Sequence, residues 1–186
     1  MMTLLILVIV FAIFCLNFFS KKQQSSSNIG ESISLIDQNG NAFFSKNIKK
    51  KKLIYFGYTF CPDICPMDVL KISQLFDDNP SLKKELLPIF VSIDPDRDQP
   101  EILKDFIENF NSAFVALTGS RDQINKIIKD YRIYVKLNKE NKDDLSYLVD
   151  HSSLIFLIDE SDNFITFFRT NEIFMENINP YLKKIL

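Results

Sequence analysis

The sequence predicts an α/β domain with a mixed, mostly parallel sheet, preceded by one transmembrane helix. Three observations carry this prediction. Short apolar runs rich in β-branched and aromatic residues alternate with stretches of helical period. A strong turn signal between two such runs opens the folded region. The first 19 residues are apolar except for Thr3 and Asn17. A chain of 186 residues has room for such a segment and one domain of roughly 150 residues, large enough for a single core.

Residues 1–19 would cover roughly the thickness of a hydrocarbon core as a helix rising about 1.5 Å per residue. No pair of small residues marks a cut before Ser20, and Cys15 follows the bulky Phe14, which makes a poor lipoprotein box. The segment therefore reads as an uncleaved signal anchor. Residues 20–31 are polar and Ser-rich, a flexible linker, and residues 32–186 form the domain. The formal charge of −2, with Lys and Arg scattered, points away from nucleic acid. The one basic cluster, Lys49 to Lys52, reads as a solvated loop.

Within the domain, Ser32 to Ile36 and Ala42 to Phe44 flank Gln38-Asn39-Gly40-Asn41, a hairpin whose Asn-Gly tolerates positive φ. Leu53 to Tyr58 has the length and composition of a buried strand. Pro66 suits the first position of a helix running to Phe76, with Asn79-Pro80 as the stop. Ile89 to Ile93 reads as a strand, Pro100 to Phe110 as a helix and Phe114 to Leu117 as a strand. Ser120 and Gln123 form a capping box for a helix over Arg121 to Tyr131. Ile133 to Leu137, Ser153 to Ile158 and Phe164 to Phe168 read as strands, with a turn at Asp159 to Asn163, and Asn171 to Leu186 as the closing helix. A strand ending in a cysteine loop, then helix, strand, helix, hairpin and helix, fits a thioredoxin-like fold.

The chemistry concentrates at Cys61 and Cys65, in YFGYTFCPDICP directly after a strand, and at the chain's single histidine, His151, in VDHSSLIFLID. Strand ends are where sites sit in α/β sheets. Two thiols and an imidazole form a soft donor set that suits copper in either common oxidation state and not hard cations. Zinc would want a fourth ligand or an open water position, and no second histidine exists to supply one. The same two cysteines form a candidate redox pair, the more so if the following helix N-terminus lowers one thiol pKa. Tyr55, Phe56 and Tyr58 read as core; Asp94, Asp96, Arg97 and Asp98 read as a turn and helix-start network; Tyr147 and Asp150 are candidates for ordering the histidine segment.

In YFGYTFCPDICP, in VSIDPDRDQPEILKDF (residues 91–106), in LTGSRDQI (117–124) and in the Asp-His-Ser of VDHSSLIFLID, the chain resembles the Sco/SenC family of copper proteins. The likeness covers nearly everything after the linker. Phe60 departs from it, standing where many members carry a polar residue or histidine, and a Gly-Lys common before the cysteine strand is missing. The resemblance implies copper ligands at Cys61, Cys65 and His151. It also implies a metallochaperone rather than an enzyme, and a role in maturing the dinuclear copper site of cytochrome c oxidase, with subunit II as partner. The location it implies is a bacterial inner membrane, crossed once, with the domain facing the periplasm. There a cysteine pair persists as a disulfide or meets imported metal. Two other functions use the same residues: a thiol-disulfide oxidoreductase acting on the oxidase subunit's cysteines, and a copper or redox sensor.

Overall fold

The computed structural model describes residues 29–139, 146–169 and 174–185. The expected membrane segment, residues 1–19, lies outside them, and among the described residues no helix is long and apolar enough to cross a membrane. Ile29 to Glu31, at the end of the expected linker, already belong to the folded body. The Gly30 N–H donates to the Asp130 carbonyl at 2.9 Å, and Glu31 pairs with Lys126 at 2.7 Å.

The strands are β1 (Ser34–Asp37), β2 (Ala42–Phe44), β3 (Lys51–Gly57), β4 (Leu86–Ser92), β5 (Val115–Thr118), β6 (Val135–Asn138), β7 (Leu148–His151), β8 (Leu154–Ile158) and β9 (Phe164–Arg169). The helices are α1 (Ile64–Asp78), the single turn α2 (Leu82–Glu85), α3 (Pro100–Ile107), α4 (Arg121–Asp130) and α5 (Phe174–Ile185). Seven strands form one sheet in the order β2-β1-β5-β4-β3-β8-β9, and β6 and β7 form a separate ribbon. The sheet is mixed. Its centre, β5-β4-β3, is parallel, and hairpins extend it with antiparallel pairings on both sides. Residues 52–57 of β3 are all buried. Because successive side chains point to opposite faces, the sheet is covered on both.

The opening hairpin forms as expected. Gly40 sits at φ +79°, and the Asp37 carboxylate accepts the backbone N–H groups of Asn39 and Asn41 at 2.8 and 2.9 Å. In α1 the buried positions Cys65, Val69, Ile72, Leu75 and Phe76 recur at helical spacing, and Asn79 ends the helix by bonding back to the Leu75 carbonyl. The Ser120/Gln123 capping box is complete on both arms.

Four expectations are corrected. Helix α1 begins at Ile64 rather than Pro66, so Cys65 lies in its first turn; Pro66 is still tolerated there because a first-turn N–H has no helical partner. Lys51 and Lys52 belong to β3 rather than to a solvated loop. Lys52 is fully buried, its ammonium 2.7 Å from the Asp162 carboxylate and bonded to the carbonyls of Asp159 and Glu160. Helix α3 stops at Ile107, with the Asn109 amide capping the carbonyls of Asp105 and Phe106. Finally, His151 ends a strand, β7, where no strand is expected from the sequence.

Candidate metal centre

The cysteine loop leaves the C-terminal end of β3 at Gly57, which has no room for a side chain. A Cβ there would lie 2.8 Å from Tyr55 Cε1 and 3.1 Å from both Cys65 Sγ and Phe90 Cε2. Thr59 is pinned by the buried Asp98, which accepts its N–H at 3.0 Å and its hydroxyl at 2.6 Å. Asp98 also accepts the Ser92 hydroxyl at 2.6 Å. Burial pushes its carboxyl above the usual range, against the pull of these donors.

Cys61 is half-buried and Cys65 fully buried, and both are free thiols. The Asp63 side chain makes no capping bond at the start of α1. A sulfur serves instead: the Cys65 backbone N–H points at Cys61 Sγ, 3.4 Å away. The Cys65 thiol, the N–H groups of Cys65 and Asp63 and the Tyr58 hydroxyl together hold the Cys61 pKa down to about 5, although burial opposes them. Cys65 moves the other way, because its proton is shared with Cys61 and its surroundings are apolar. At neutral pH the pair is one thiolate and one thiol, the split expected where a helix N-terminus meets one of two sulfurs.

His151 Nε2 lies 3.2 Å from Cys65 Sγ. Its Nδ1 is 3.2 Å from the Ser152 carbonyl, which can only accept, so Nδ1 carries the proton and Nε2 keeps its lone pair toward the sulfur. Burial lowers the imidazole pKa, which keeps the ring neutral. The rings of Tyr55 and Tyr58 meet it edge-on at 6.4 and 6.1 Å. Tyr55 donates to the buried Asp68 at 3.0 Å, and the Tyr58 hydroxyl accepts the Val149 N–H at 3.2 Å. These tyrosines are core residues, as expected, and they also hold the site.

The turn after β4 reaches into the same region. Arg97 bonds the fully buried Asp94 at 2.6 Å and the Tyr147 carbonyl at 2.9 Å, and the Tyr147 hydroxyl donates to Asp94 at 2.5 Å. Asp96 is exposed and pairs with Arg121 at 2.6 Å. Asp150, opposite Lys136 in the ribbon, is exposed and lies on the face of β7 opposite His151. Outside the Cys₂His set, Tyr58 bonds Cys61 and Tyr55 bonds Cys65, while Asp98 holds the loop one step away through Thr59; the sequence showed only core tyrosines and a turn.

Among the described residues no three Cys, His, Asp or Glu side chains close into a ready-made shell. Contacts run in series, Cys61 to Cys65 and Cys65 to His151. The donor set nevertheless fits copper: one sulfur is already a thiolate, the second shares its proton, and a neutral imidazole offers its lone pair.

A mixed sheet whose central strand runs into a dithiol loop and a helix, with a separate ribbon setting a neutral imidazole beside the inner sulfur, defines a thioredoxin-like domain. The chain belongs to the SCO1/SenC family, whose model matches residues 21–186. It is 41% identical over 142 residues to a SCO2-like protein of Rickettsia prowazekii, covering 75% of this chain and 69% of that one. The structure of Bradyrhizobium japonicum ScoI with copper bound superposes with a TM-score of 0.76 at 36% identity, covering 85% of this chain and 99% of that one. For the fold alone, the chain matches BsSco at 23% identity and a TM-score of 0.67, covering 85% of this chain and 92% of that one. BsSco is a member of the Sco family of cytochrome c oxidase assembly proteins in which a disulfide switch has been identified.

Proposed function

We propose that this protein binds copper through Cys61, Cys65 and His151 and hands it to subunit II of cytochrome c oxidase. Residues 1–19 would anchor it in a bacterial inner membrane, residues 20–28 would tether it, and the domain from Ile29 onward would face the periplasm. The observation that carries this reading is the 3.2 Å approach of a neutral, Nε2-lone-pair imidazole to the inner of two free thiols. On loading, Cys65 gives up its proton and Cys61 arrives already deprotonated. His151 then offers its third bond without losing a proton of its own. Oxidation of the two sulfurs to a disulfide removes both thiolates, so the oxidised protein releases metal.

A second reading rests on the opposite pKa shifts of the two sulfurs. The Cys61 thiolate attacks a disulfide sulfur of the partner and expels the other partner sulfur as a thiolate. Cys65 then loses its proton to His151 and attacks Cys61 Sγ. The partner leaves with two reduced thiols, and this protein keeps the disulfide and has given up two electrons. One experiment separates the readings. Full-length protein loaded with Cu(I) is mixed with copper-free subunit II in which the cysteines are reduced, and the reduced, metal-free protein is mixed with subunit II in which they are oxidised. Copper delivery predicts metal movement to the reduced subunit with the thiol count unchanged. Reduction of the oxidised subunit, with no metal movement to the reduced one, supports the exchange reading instead.

A further inference from the structure

We propose that Arg97 is a positioning residue that holds β7, and through it His151, against the cysteine loop. This rests on the copper-site reading above. The two segments that carry the donors belong to different sheets. Cys61 and Cys65 follow β3 of the main sheet, whereas His151 ends β7, whose only partner among the described strands is β6. Ladder hydrogen bonds therefore do not set the imidazole against the sulfur. On its C-terminal side β7 is tied to β8 through Ser152 and Ser153. On its N-terminal side another anchor is required, and Tyr147, one residue before β7, meets Arg97 there.

The Arg97 guanidinium lies 3.6 Å from the centre of the Tyr147 ring, 4.8 Å from that of Phe60 and 5.6 Å from that of Tyr58. One cation thus touches both ring-bearing segments, the cysteine loop through Tyr58 and Phe60 and the lead into β7 through Tyr147. It is itself held by Asp94, which is fully buried and also accepts the Tyr147 hydroxyl. A guanidinium is suited to this role because its flat face stacks on rings while its edge donates to a carboxylate and a carbonyl. A lysine would keep the charge and lose the stacking and the second bond. The Tyr58 hydroxyl completes the clasp by accepting the Val149 N–H from within β7.

The test uses full-length protein in detergent micelles, wild type against Arg97→Lys and Tyr147→Leu, with two readouts. In the reduced, metal-free protein, amide hydrogen exchange at Val149 should quicken by about tenfold or more in both variants, the size of a lost desolvated cation–π contact, while β3 amides keep their protection. With Cu(II) alone as the probe, the sulfur-to-copper absorption should shift toward that of His151→Ala. Adding Arg97→Lys to His151→Ala should then change nothing further. Wild-type Val149 exchange and absorption in Arg97→Lys would overturn the proposal, as would an Arg97→Lys shift of equal size with His151 absent. Should Arg97→Lys fail to fold, Tyr147→Leu, which leaves the Arg97–Asp94 ion pair in place, decides by the same criteria. If His151→Ala alone leaves the absorption unchanged, the three-donor site falls, and Val149 exchange still decides whether Arg97 holds β7.

Discussion

Cys65 Sγ and His151 Nε2 stand 3.2 Å apart although 86 residues separate them in the chain. The contact joins the first turn of α1 to the end of a ribbon outside the main sheet. It sets a neutral ring, with its lone pair on the sulfur side, against the inner sulfur of a pair whose outer member, Cys61, is the one held deprotonated.

The two sulfurs should react on different scales. Iodoacetamide should modify Cys61 of the reduced protein with a midpoint near pH 5 and leave Cys65 untouched at neutral pH, read by mass spectrometry of digests. The linkage to stability has opposite signs for the two. Cys61 titrates below its unfolded value, so its contribution is complete above the ordinary thiol pKa and is lost as pH falls toward 5. Cys65 titrates above its unfolded value, so its contribution is present below the ordinary thiol pKa and is lost as pH rises beyond it. The stability added by the pair should peak near that pKa, seen as the thermal midpoint of wild type against Cys61→Ala and Cys65→Ala across pH.

Gly57→Ala should damage fold and site together. The added methyl would lie 2.8 Å from a Tyr55 ring carbon and 3.1 Å from Cys65 Sγ, and overpacking of this kind costs about 1–3 kcal/mol. Urea denaturation should show that loss, and the Cu(II) absorption should shift because the sulfur is displaced.

Asp98→Ala should loosen the cysteine loop. It strands the Thr59 N–H and the hydroxyls of Thr59 and Ser92, at about 1–3 kcal/mol for each buried group left unpaired. Cys65, sealed in the parent, should become open to alkylation at high pH.

The buried ion pair far from the site should affect stability alone. Asp162→Ala leaves the Lys52 ammonium without its carboxylate, and breaking such a pair costs about 3–5 kcal/mol. Chemical denaturation should show that loss while copper absorption stays as in wild type.

Much of this was legible in the chain. The run Leu53 to Tyr58, the Asn-Gly turn and the Ser120 capping box each carry a local signal that does not depend on distant partners. What stayed hidden was set by partners far along the chain or by atoms that do not normally play the part. Lys52 reads as solvated because its counter-charge, Asp162, is 110 residues away. Helix α1 starts early because a cysteine sulfur caps it, and thiols are not read as caps. Strand β7 has only Leu-Val-Asp-His to show, too short for alternation to register. Arg97 reads as part of a turn because the rings it joins come from two other segments.

The most direct test of the copper site is Cu(I) affinity by chelator competition on full-length reduced protein, with Cu(II) absorption and electron paramagnetic resonance alongside. Wild type is compared with Cys61→Ala, Cys65→Ala and His151→Ala. Either cysteine substitution should abolish tight binding, and His151→Ala should weaken it and remove nitrogen coupling from the Cu(II) spectrum. Affinity and spectra unchanged by the loss of His151 would contradict the three-donor site.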